Sequence, residues 1–264
     1  MKVKRPVPDR VTISGHGPPY TALAPMYDRI MSHVDYESWA AYLLSLISRF
    51  APRPRSILEL GCGTGNITYL LSRRLKAKYL ATDASDEMLA MAQQKMKADR
   101  GRLRFKRMDF QDIDLEDTFD VVVLAYDGIN YLLETDEIAA VVESVSARLH
   151  PGGIFLFDQS TPANSINNLA YFDDAWDAAD ASYARKSEYD AARHLHITRF
   201  DIRIGDECVK EVHYQRAYDL QEMELTLKLS SLRVEGCFDA FTDESATGAS
   251  ERIQWVLTKP QPTD

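Results

Sequence analysis

A glycine-rich turn at Leu58–Asn66, with the sequence LELGCGTGN, constrains the fold of this chain more than any other feature. The apolar run before it, Arg55–Leu60, is typical of a buried strand, and apolar residues recur at helical spacing from Ile67 to Leu75. Glycines at such a junction allow a tight turn and leave room for a ligand where a Cβ would collide. The first N–H groups of the helix are free to bind a polar ligand. The turn therefore predicts an α/β fold with a nucleotide-type cofactor site.

The spacing of the glycines separates two classes of cofactor. A dinucleotide fingerprint reads G-x-G-x-x-G, whereas here Asn66 occupies the position of the last glycine, which disfavours NAD. An acidic residue, Asp83, ends the apolar run Lys78–Thr82 at close to the roughly 20 residues expected for a ribose-binding carboxylate. The sequence therefore predicts that Asp83 binds the hydroxyls of a ribose.

The match to one cofactor class continues in register along the chain, through Met108–Phe110, Phe119–Val123 and Leu149–Asp158. Together with the glycine turn and Asp83, these segments resemble the class I methyltransferases that depend on S-adenosylmethionine (SAM). Three further strings resemble the bacterial YqeM-like small-molecule methyltransferases, namely Met26–Tyr36, Asp127–Leu132 and Asp239–Phe241. Deoxyamino-sugar N-methyltransferases share this layout, including a small antiparallel lid after the fifth strand. The resemblance implies that SAM is the cofactor.

Composition excludes several other functions. The net charge is −9 and the pI about 5.2, which opposes tight binding to a phosphate backbone. We interpret the two basic stretches, Lys2–Arg10 and Arg100–Arg107, as a solvated tail and the polar start of a strand. Three widely separated cysteines cannot form a disulfide framework, and none has metal-ligand spacing with histidine, which favours the cytoplasm and no metal site. No apolar run approaches the ~18 residues of a membrane span.

The order of apolar patterns predicts the domain organisation. Residues 1–19 are rich in proline and glycine and are expected to form a flexible leader. Two helices should follow within Tyr20–Phe50, and strand and helix patterns then alternate from Arg55 to Gln159, with strands near 55–60, 78–83, 103–108, 119–125 and 153–159. Such alternation predicts a parallel sheet covered on both faces. We expect a methyltransferase core formed by residues 20–159 and 217–264.

A change of pattern after Asp158 predicts the lid, which we place at residues 160–216. Its segments near 185–204 and 207–217 alternate between polar and apolar residues, as antiparallel strands with one covered face do. The core then resumes with a helix over Leu220–Ser231, begun by a capping-box spacing of Asp219 and Glu222, and with two closing strands. The predicted fold is thus α/β, a Rossmann-like doubly wound, seven-stranded, mostly parallel sheet with a small inserted antiparallel β lid.

The resemblance implies a set of cofactor-binding residues at matching positions, which in this sequence are Tyr27, Glu59, Gly61, Cys62, Gly63, Thr64, Gly65, Asn66, Asp83, Ala84, Met88, Met108, Asp109, Phe110, Ala125 and Tyr126. Several of these have a purely structural alternative. Asp83 could cap a helix, although Ser85 can fill that role, and Met88 could be a core residue. Tyr27 could pack within a helix stripe, and Asp109 could be a free surface carboxylate.

The methyl-transfer site is predicted at the end of the fourth strand, because open α/β sheets bind reactants in the crevice beyond the carboxyl ends of their strands. Asp127, Asp158 and His213, in that order, are the candidate general bases, needed only if the acceptor must lose a proton. The candidate substrate-binding residues are Asn130, Tyr131, Tyr214 and Arg216. Loop capping is the structural alternative for Asn130, and simple solvation is the alternative for the lid residues.

The predicted function is methyl transfer from SAM to a nitrogen or oxygen of a small-molecule acceptor, in a protein that is a monomer or a homodimer. An RNA or protein methyltransferase is one alternative, which the acidic balance disfavours. A SAM-binding regulatory protein without turnover is another, and the polar loop Asp127–Tyr131 argues against it. An NAD-dependent oxidoreductase is disfavoured by the missing third glycine.

Overall fold

The structure, a computed structural model, describes residues 20–96 and 101–262. The predicted flexible leader lies outside the described residues. The strands are β1 (Ser56–Glu59), β2 (Lys78–Asp83), β3 (Leu103–Arg107), β4 (Phe119–Leu124), β5 (Leu149–Ser160), β6 (Asp174–Asp177), β7 (Ala181–Asp190), β8 (Leu195–Ile204), β9 (Glu207–Arg216), β10 (Arg233–Asp239) and β11 (Arg252–Thr258). The helices are α1 (Ala24–Ile30), α2 (Tyr36–Phe50), α3 (Asn66–Arg74), α4 (Asp86–Lys95), α5 (Thr135–Arg148), α6 (Pro162–Asn167) and α7 (Leu220–Leu227), with 3-10 turns at Gly128–Tyr131 and Leu169–Phe172.

Seven of the strands form one sheet in the order β10-β11-β5-β4-β1-β2-β3. Strands β1 to β5 are parallel, and β11 runs antiparallel to both of its neighbours. The chain moves from β1 outward to β2 and β3, then returns to place β4 on the other side of β1. This reversal creates the crevice in which open α/β sheets bind their ligands. The predicted doubly wound, seven-stranded, mostly parallel sheet is confirmed.

Both faces of this sheet are covered by helices, as the near-continuous apolar strands require. One face packs against α2, α3 and α4, with Leu43 and Leu71 almost fully buried. The other packs against α5 and α7, through side chains such as Val142 and Met223. In the described part of the chain, we find no helix with both the length and the apolar character to cross a membrane.

A second sheet, with the order β6-β7-β8-β9, is inserted between β5 and α7 and is antiparallel throughout. This confirms the predicted inserted antiparallel sheet. The predicted segment near 185–204 is divided between β7 and β8, and the sequence did not indicate β6, which is short and lies in a segment rich in Asn, Ala and Asp. The sheet packs against α1, where Met26 and Ile30 meet Phe200 and Ile202 in a separate hydrophobic cluster.

The helix α7 is shorter than predicted, ending at Leu227 rather than Ser231. The hydroxyl of Ser230 donates to the carbonyl of Leu227 at 2.8 Å, a side-chain bond that competes with continued helix. At its start, the carboxylate of Asp219 accepts the N–H of Glu222 at 2.8 Å, so half of the predicted capping box forms. The other half is absent because the Glu222 carboxylate binds Arg216 instead.

Candidate functional site

A cavity of about 420 Å³ lies between the two sheets, at the carboxyl ends of β1, β2 and β4. One wall comes from the seven-stranded sheet and its loops, and the other from α1 and the inner face of the four-stranded sheet. The predicted site residues that line it are Tyr27, Gly61, Gly63, Asp83, Ala84, Met88, Asp109, Phe110, Ala125, Tyr126, Asp127, Asn130, Tyr131 and His213. The topology thus brings together residues from both halves of the chain in one cavity of ordinary ligand-binding size.

The glycines of the turn have two different roles. All three have positive φ, at 60°, 54° and 78° for Gly61, Gly63 and Gly65, a region that favours glycine. A Cβ on Gly63 would meet nothing within 4 Å, so open space faces this residue. A Cβ on Gly65 would lie 2.9 Å from the Cβ of Ala92 and 2.5 Å from Met96. Gly65 therefore allows close packing against α4, whereas Gly61 and Gly63 border the cavity.

The carboxylate of Asp83 ends β2 at the edge of the cavity. It accepts the backbone N–H of Gly63 at 2.8 Å and that of Ser85 at 2.9 Å. Burial raises the pKa of Asp83, although these N–H groups act in the opposite direction. The hydroxyl of Ser85 caps α4 by accepting the N–H of Met88, so Asp83 is not needed as the cap. The remaining lone pairs of Asp83 can therefore accept hydrogen bonds from a ligand.

The wall beside Asp83 combines apolar and acidic side chains. Met88, only 1% exposed, and Phe110 provide apolar surface. Asp109 is exposed, and one of its oxygens accepts the N–H of Gln111 at 2.9 Å, which leaves the other available. Met108 is buried and does not line the cavity. A flat apolar ring with a polar edge would fit this wall.

Two side chains of the glycine motif, Thr64 and Asn66, connect the turn to α1 rather than line the cavity. Both donate to the carboxylate of Asp28, at 2.5 and 3.0 Å. Lys95 on α4 binds the same carboxylate at 2.5 Å and donates to both side chains. These groups hold α1 against the turn and so place Tyr27, the neighbour of Asp28, over the cavity. Sequence analysis missed Asp28 and Lys95.

The loop after β4 has an unusual backbone that β5 holds in place. Tyr126 and Asp127 have φ values of 66° and 49°, a strained conformation for residues other than glycine. The two oxygens of Asp158 accept one N–H each, from Tyr126 at 2.6 Å and from Asp127 at 2.9 Å. Asp158 is 1% exposed and does not line the cavity. The structure thus places this predicted base beneath the loop, where it fixes the position of Asp127.

An arginine that sequence analysis missed completes this group. The guanidinium of Arg252, on β11, forms ion pairs with Asp158 and, at 2.7 Å, with Asp127. It lies over the rings of Trp39 and Tyr126, each 5.4 Å away, and lines the cavity. The other oxygen of Asp127 accepts from Gln215 on β9 at 2.6 Å. Asp127 is therefore oriented by both sheets.

The wall formed by the four-stranded sheet includes His213 on β9. Its Nδ1 lies 2.9 Å from the hydroxyl of Tyr131, and its Nε2 lies 3.1 Å from Glu211. The hydroxyl of Tyr131 also binds that of Tyr20, whose ring centroid is 4.6 Å from the His213 ring. Sequence analysis missed Glu211 and Tyr20. No local signal marks them, because their pairing depends on the fold of the whole chain.

The remaining predicted substrate residues divide between the cavity and its surroundings. Asn130 lines the cavity and donates to the carbonyls of Ser160 and Arg216, at 2.8 and 2.7 Å. Its side chain thus joins the two sheets. Arg216 binds Glu222 and the carbonyl of Leu133, and neither it nor Tyr214 lines the cavity.

Comparison with known proteins identifies the family. Residues 57–153 match the family model described as a methyltransferase domain. The chain is 31% identical to YqeM of Bacillus subtilis (strain 168), over 91% of this chain and 97% of that protein. The chain belongs to the YqeM family of methyltransferases. This confirms both the resemblance seen in the sequence and the prediction of an enzyme.

Two other matches agree with the family assignment. A solved S-adenosylmethionine-dependent methyltransferase from Clostridium acetobutylicum ATCC 824 has a TM-score of 0.77 and 25% identity, over 91% of this chain and 99% of that one. A dTDP-3-amino-3,4,6-trideoxy-alpha-D-glucopyranose N,N-dimethyltransferase from Streptomyces venezuelae is 26% identical, over 76% of this chain and 85% of that protein. The cofactor of this methyltransferase is SAM, as the resemblance implied.

The residues of the cavity fit SAM. Open space faces Gly63, and Asp83 has free acceptor capacity for ribose hydroxyls. Met88 offers an apolar surface for a purine, and the free oxygen of Asp109 can accept from its amino group. Two residues of the first motif, Glu59 and Cys62, lie outside the cavity lining. The fit therefore rests on the backbone of the glycine turn rather than on every side chain of the motif.

The carboxyl group of Glu59 is buried at the end of β1, 2% exposed, where one of its oxygens accepts from Thr68 and Tyr79 at 2.7 Å each. Burial raises the pKa of Glu59 to about 7, although both hydrogen bonds oppose the shift. The folded state therefore binds the proton of Glu59 more tightly than the unfolded state does. The stability gained from this tighter proton binding is fully present below the unfolded pKa near 4.5 and is lost as the pH rises through about 7.

The variant Glu59→Gln should remove this pH dependence. Between pH 5 and pH 8, we expect the wild-type free energy of unfolding to fall by about 3 kcal/mol relative to the variant, because one pKa unit corresponds to about 1.4 kcal/mol. Urea denaturation at both pH values measures the difference. An identical pH dependence in the two proteins would show that Glu59 is ionised in the folded state throughout this range.

Proposed function

We propose that this methyltransferase transfers the methyl group of SAM to a nitrogen or oxygen of a small-molecule acceptor, with an amine nitrogen favoured. The observation that carries the proposal is that one cavity joins Asp83 and the glycine turn to His213 and Tyr131 of the opposite wall. Its volume of about 420 Å³ is within the range of small-molecule sites. The acidic net charge of −9 disfavours an RNA acceptor.

The chain's residues have separate tasks in this reaction. Asp83, Met88 and Asp109 would hold the adenosine part of the cofactor, and Tyr27 and Asp127 lie where its reactive end would be. When bound, SAM supplies an activated methyl group on a positively charged sulfur. The protein then has to align the acceptor and exclude water, and alignment alone can contribute up to about 7–11 kcal/mol of rate acceleration.

The chemistry of the acceptor half of the cavity favours an amine. Tyrosine rings surround it, and Tyr20 lies edge-on to both Tyr27 and Tyr131 at centroid distances of 5.8 and 5.9 Å. Aromatic rings attract a cation, as a protonated amine is. The Streptomyces venezuelae relative is named for N,N-dimethylation of an amino sugar, which supports the same acceptor atom.

We further propose that residues 160–216 act as a lid on a core formed by residues 20–159 and 217–264. The four-stranded sheet contributes Arg185, His196, Thr198 and Phe200 to the cavity, all on its inner face. The residues proposed for cofactor binding lie outside this segment. We therefore expect the lid to select the acceptor. We also propose that the enzyme is cytoplasmic, because its three cysteines are free thiols. We further propose that it is a monomer or a homodimer.

A screen with tritium-labelled SAM tests the proposed function. The purified protein is incubated with three probes in separate reactions. The first is a mixture of primary aliphatic amines, amino sugars and phenols, the second is total RNA, and the third is total protein. The variant Asp83→Ala, with impaired cofactor binding, controls for contaminating activity. We expect label in an amine of the first mixture. Label in RNA or protein, with none in the small molecules, would contradict the proposal.

A further inference from the structure

Four side chains form a continuous hydrogen-bonded chain from the interior of the protein to the cavity. Glu211 binds His213, His213 binds Tyr131, and Tyr131 binds Tyr20. Glu211 and His213 are each 4% exposed, while Tyr20, Tyr131 and His213 line the cavity. The residues come from β9, from the 3-10 turn after β4 and from the segment before α1, so only the complete fold brings them together.

The ionised carboxylate of Glu211 fixes the direction of every hydrogen bond in this chain. Burial alone would raise the pKa of Glu211, but the hydrogen bond from His213, the charge attraction of His213 and the N–H groups of Tyr20 and Ala22 outweigh it and lower the pKa. A carboxylate can only accept, so the proton of a neutral His213 must be on Nε2. Nδ1 then accepts from Tyr131, and the oxygen of Tyr131 accepts from Tyr20.

This direction determines what the cavity offers to an acceptor molecule. The hydroxyls of Tyr20 and Tyr131 both donate their protons within this series of hydrogen bonds, so the oxygen of Tyr20 presents a lone pair to the cavity. Burial raises the pKa of both tyrosines, which therefore remain neutral hydroxyls near neutral pH. A group that binds here must donate a hydrogen bond, as the N–H of an ammonium does.

We propose that Tyr20, Tyr131, His213 and Glu211 form a proton relay that removes the proton of a protonated amine acceptor before methyl transfer. This inference rests on the proposed function. The N–H bond of the ammonium breaks and its electron pair stays on nitrogen as the nucleophile. Its proton passes to Tyr20, the proton of Tyr20 passes to Tyr131, and that of Tyr131 passes to Nδ1 of His213. Glu211 neutralises the resulting imidazolium, as the carboxylate of a catalytic triad does.

Among the described residues, few other groups near His213 could take the place of Glu211. Glu211 faces it from the same strand, Tyr131 from the 3-10 turn, Tyr20 from the segment before α1 and Phe200 from β8. Asp127 acts through space on the two tyrosines. Glu211 is therefore the carboxylate in direct contact with the imidazole among the described residues.

Histidine NMR tests the relay without any acceptor. In protein labelled with ¹⁵N-histidine, the signals of His213 are assigned by the loss they show in His213→Asn. We expect the neutral imidazole to be the Nε2–H tautomer. In Glu211→Gln, the preference for this tautomer should weaken, because the carboxylate that accepts the Nε2 proton is lost. Glu207→Gln is the matched control, since Glu207 is exposed on the same strand.

Kinetics with the amine mixture of the tritium screen provide a second readout. Tyr20→Phe keeps the ring and removes the hydroxyl, so we expect about a hundredfold lower transfer at pH 7, the usual size of a general-base effect. Transfer should recover toward pH 10, where the amines are already neutral in solution. A purely structural role for Tyr20 would lower transfer equally at every pH.

Two results would overturn the relay. One is an Nδ1–H tautomer in the wild-type protein, since that nitrogen could not then accept from Tyr131. The other is an unchanged tautomer preference in a folded Glu211→Gln variant. The tautomer measurement uses the wild-type protein and so stands even if the variant does not fold. An absence of label in every small molecule would contradict the proposed function, while the NMR result would still decide the relay.

Discussion

Replacing Asp158 by alanine is expected to lower the free energy of unfolding by about 3 kcal/mol, because it breaks a buried ion pair. Asp158 is 1% exposed and binds Arg252. It also accepts the N–H groups of Tyr126 and Asp127, which hold the strained turn after β4. The variant leaves these two donors without a partner. Urea denaturation followed by circular dichroism measures the loss.

Asp127→Ala is the matched control for this prediction. Asp127 pairs with the same arginine, but its side chain is 14% exposed and the backbone N–H groups of the turn bind Asp158 instead. We expect a clearly smaller loss of stability in Asp127→Ala, together with lost methyl transfer. Equal losses of stability in the two variants would show that Asp158 contributes only its charge and does not hold the turn.

Replacing Asp83 by alanine is expected to weaken the binding of S-adenosylhomocysteine, the demethylated form of the cofactor, by roughly 10- to 100-fold. Charge-assisted hydrogen bonds to ribose hydroxyls would be lost, at a cost on the order of 1.5–3 kcal/mol. The variant also frees the N–H groups of Gly63 and Ser85, which Asp83 accepts. Isothermal titration calorimetry measures the affinity.

The control for Asp83→Ala is Asp86→Ala, which removes the same charge from the exposed first turn of α4. Asp86 does not line the cavity, so its replacement should leave the affinity unchanged. Circular dichroism confirms that both variants are folded. An unchanged affinity in a folded Asp83→Ala protein would place the ribose elsewhere.

The cofactor half of the site could be predicted from the sequence because its residues lie at the ends of local patterns. Gly61, Gly63 and Asp83 each follow an apolar run that must be a strand, and parallel strands end at the same edge of the sheet. The five parallel strands and the inserted antiparallel sheet could be predicted for the same reason, since their periods differ.

The acceptor half could not be predicted in the same way, because its key contacts join distant parts of the chain. Arg252 binds Asp127, 125 positions away, and the side chain of Glu211 accepts the N–H of Tyr20 from 191 positions away. Arginine and glutamate on alternating strands are usually solvated, so nothing local distinguishes these two. The resemblance also assigned Thr64 and Asn66 to the cofactor, and their side chains bind Asp28 on α1.

A crystal structure of the protein with bound S-adenosylhomocysteine tests the central claim most directly, namely that the cavity between the two sheets holds the cofactor beside the Tyr20–His213 wall. We expect density for the ligand in this cavity, with ribose hydroxyls against Asp83, the adenine beside Met88, and no direct contact with the Glu59 side chain. Ligand density outside the cavity, or a ribose bound to a carboxylate other than Asp83, would contradict it.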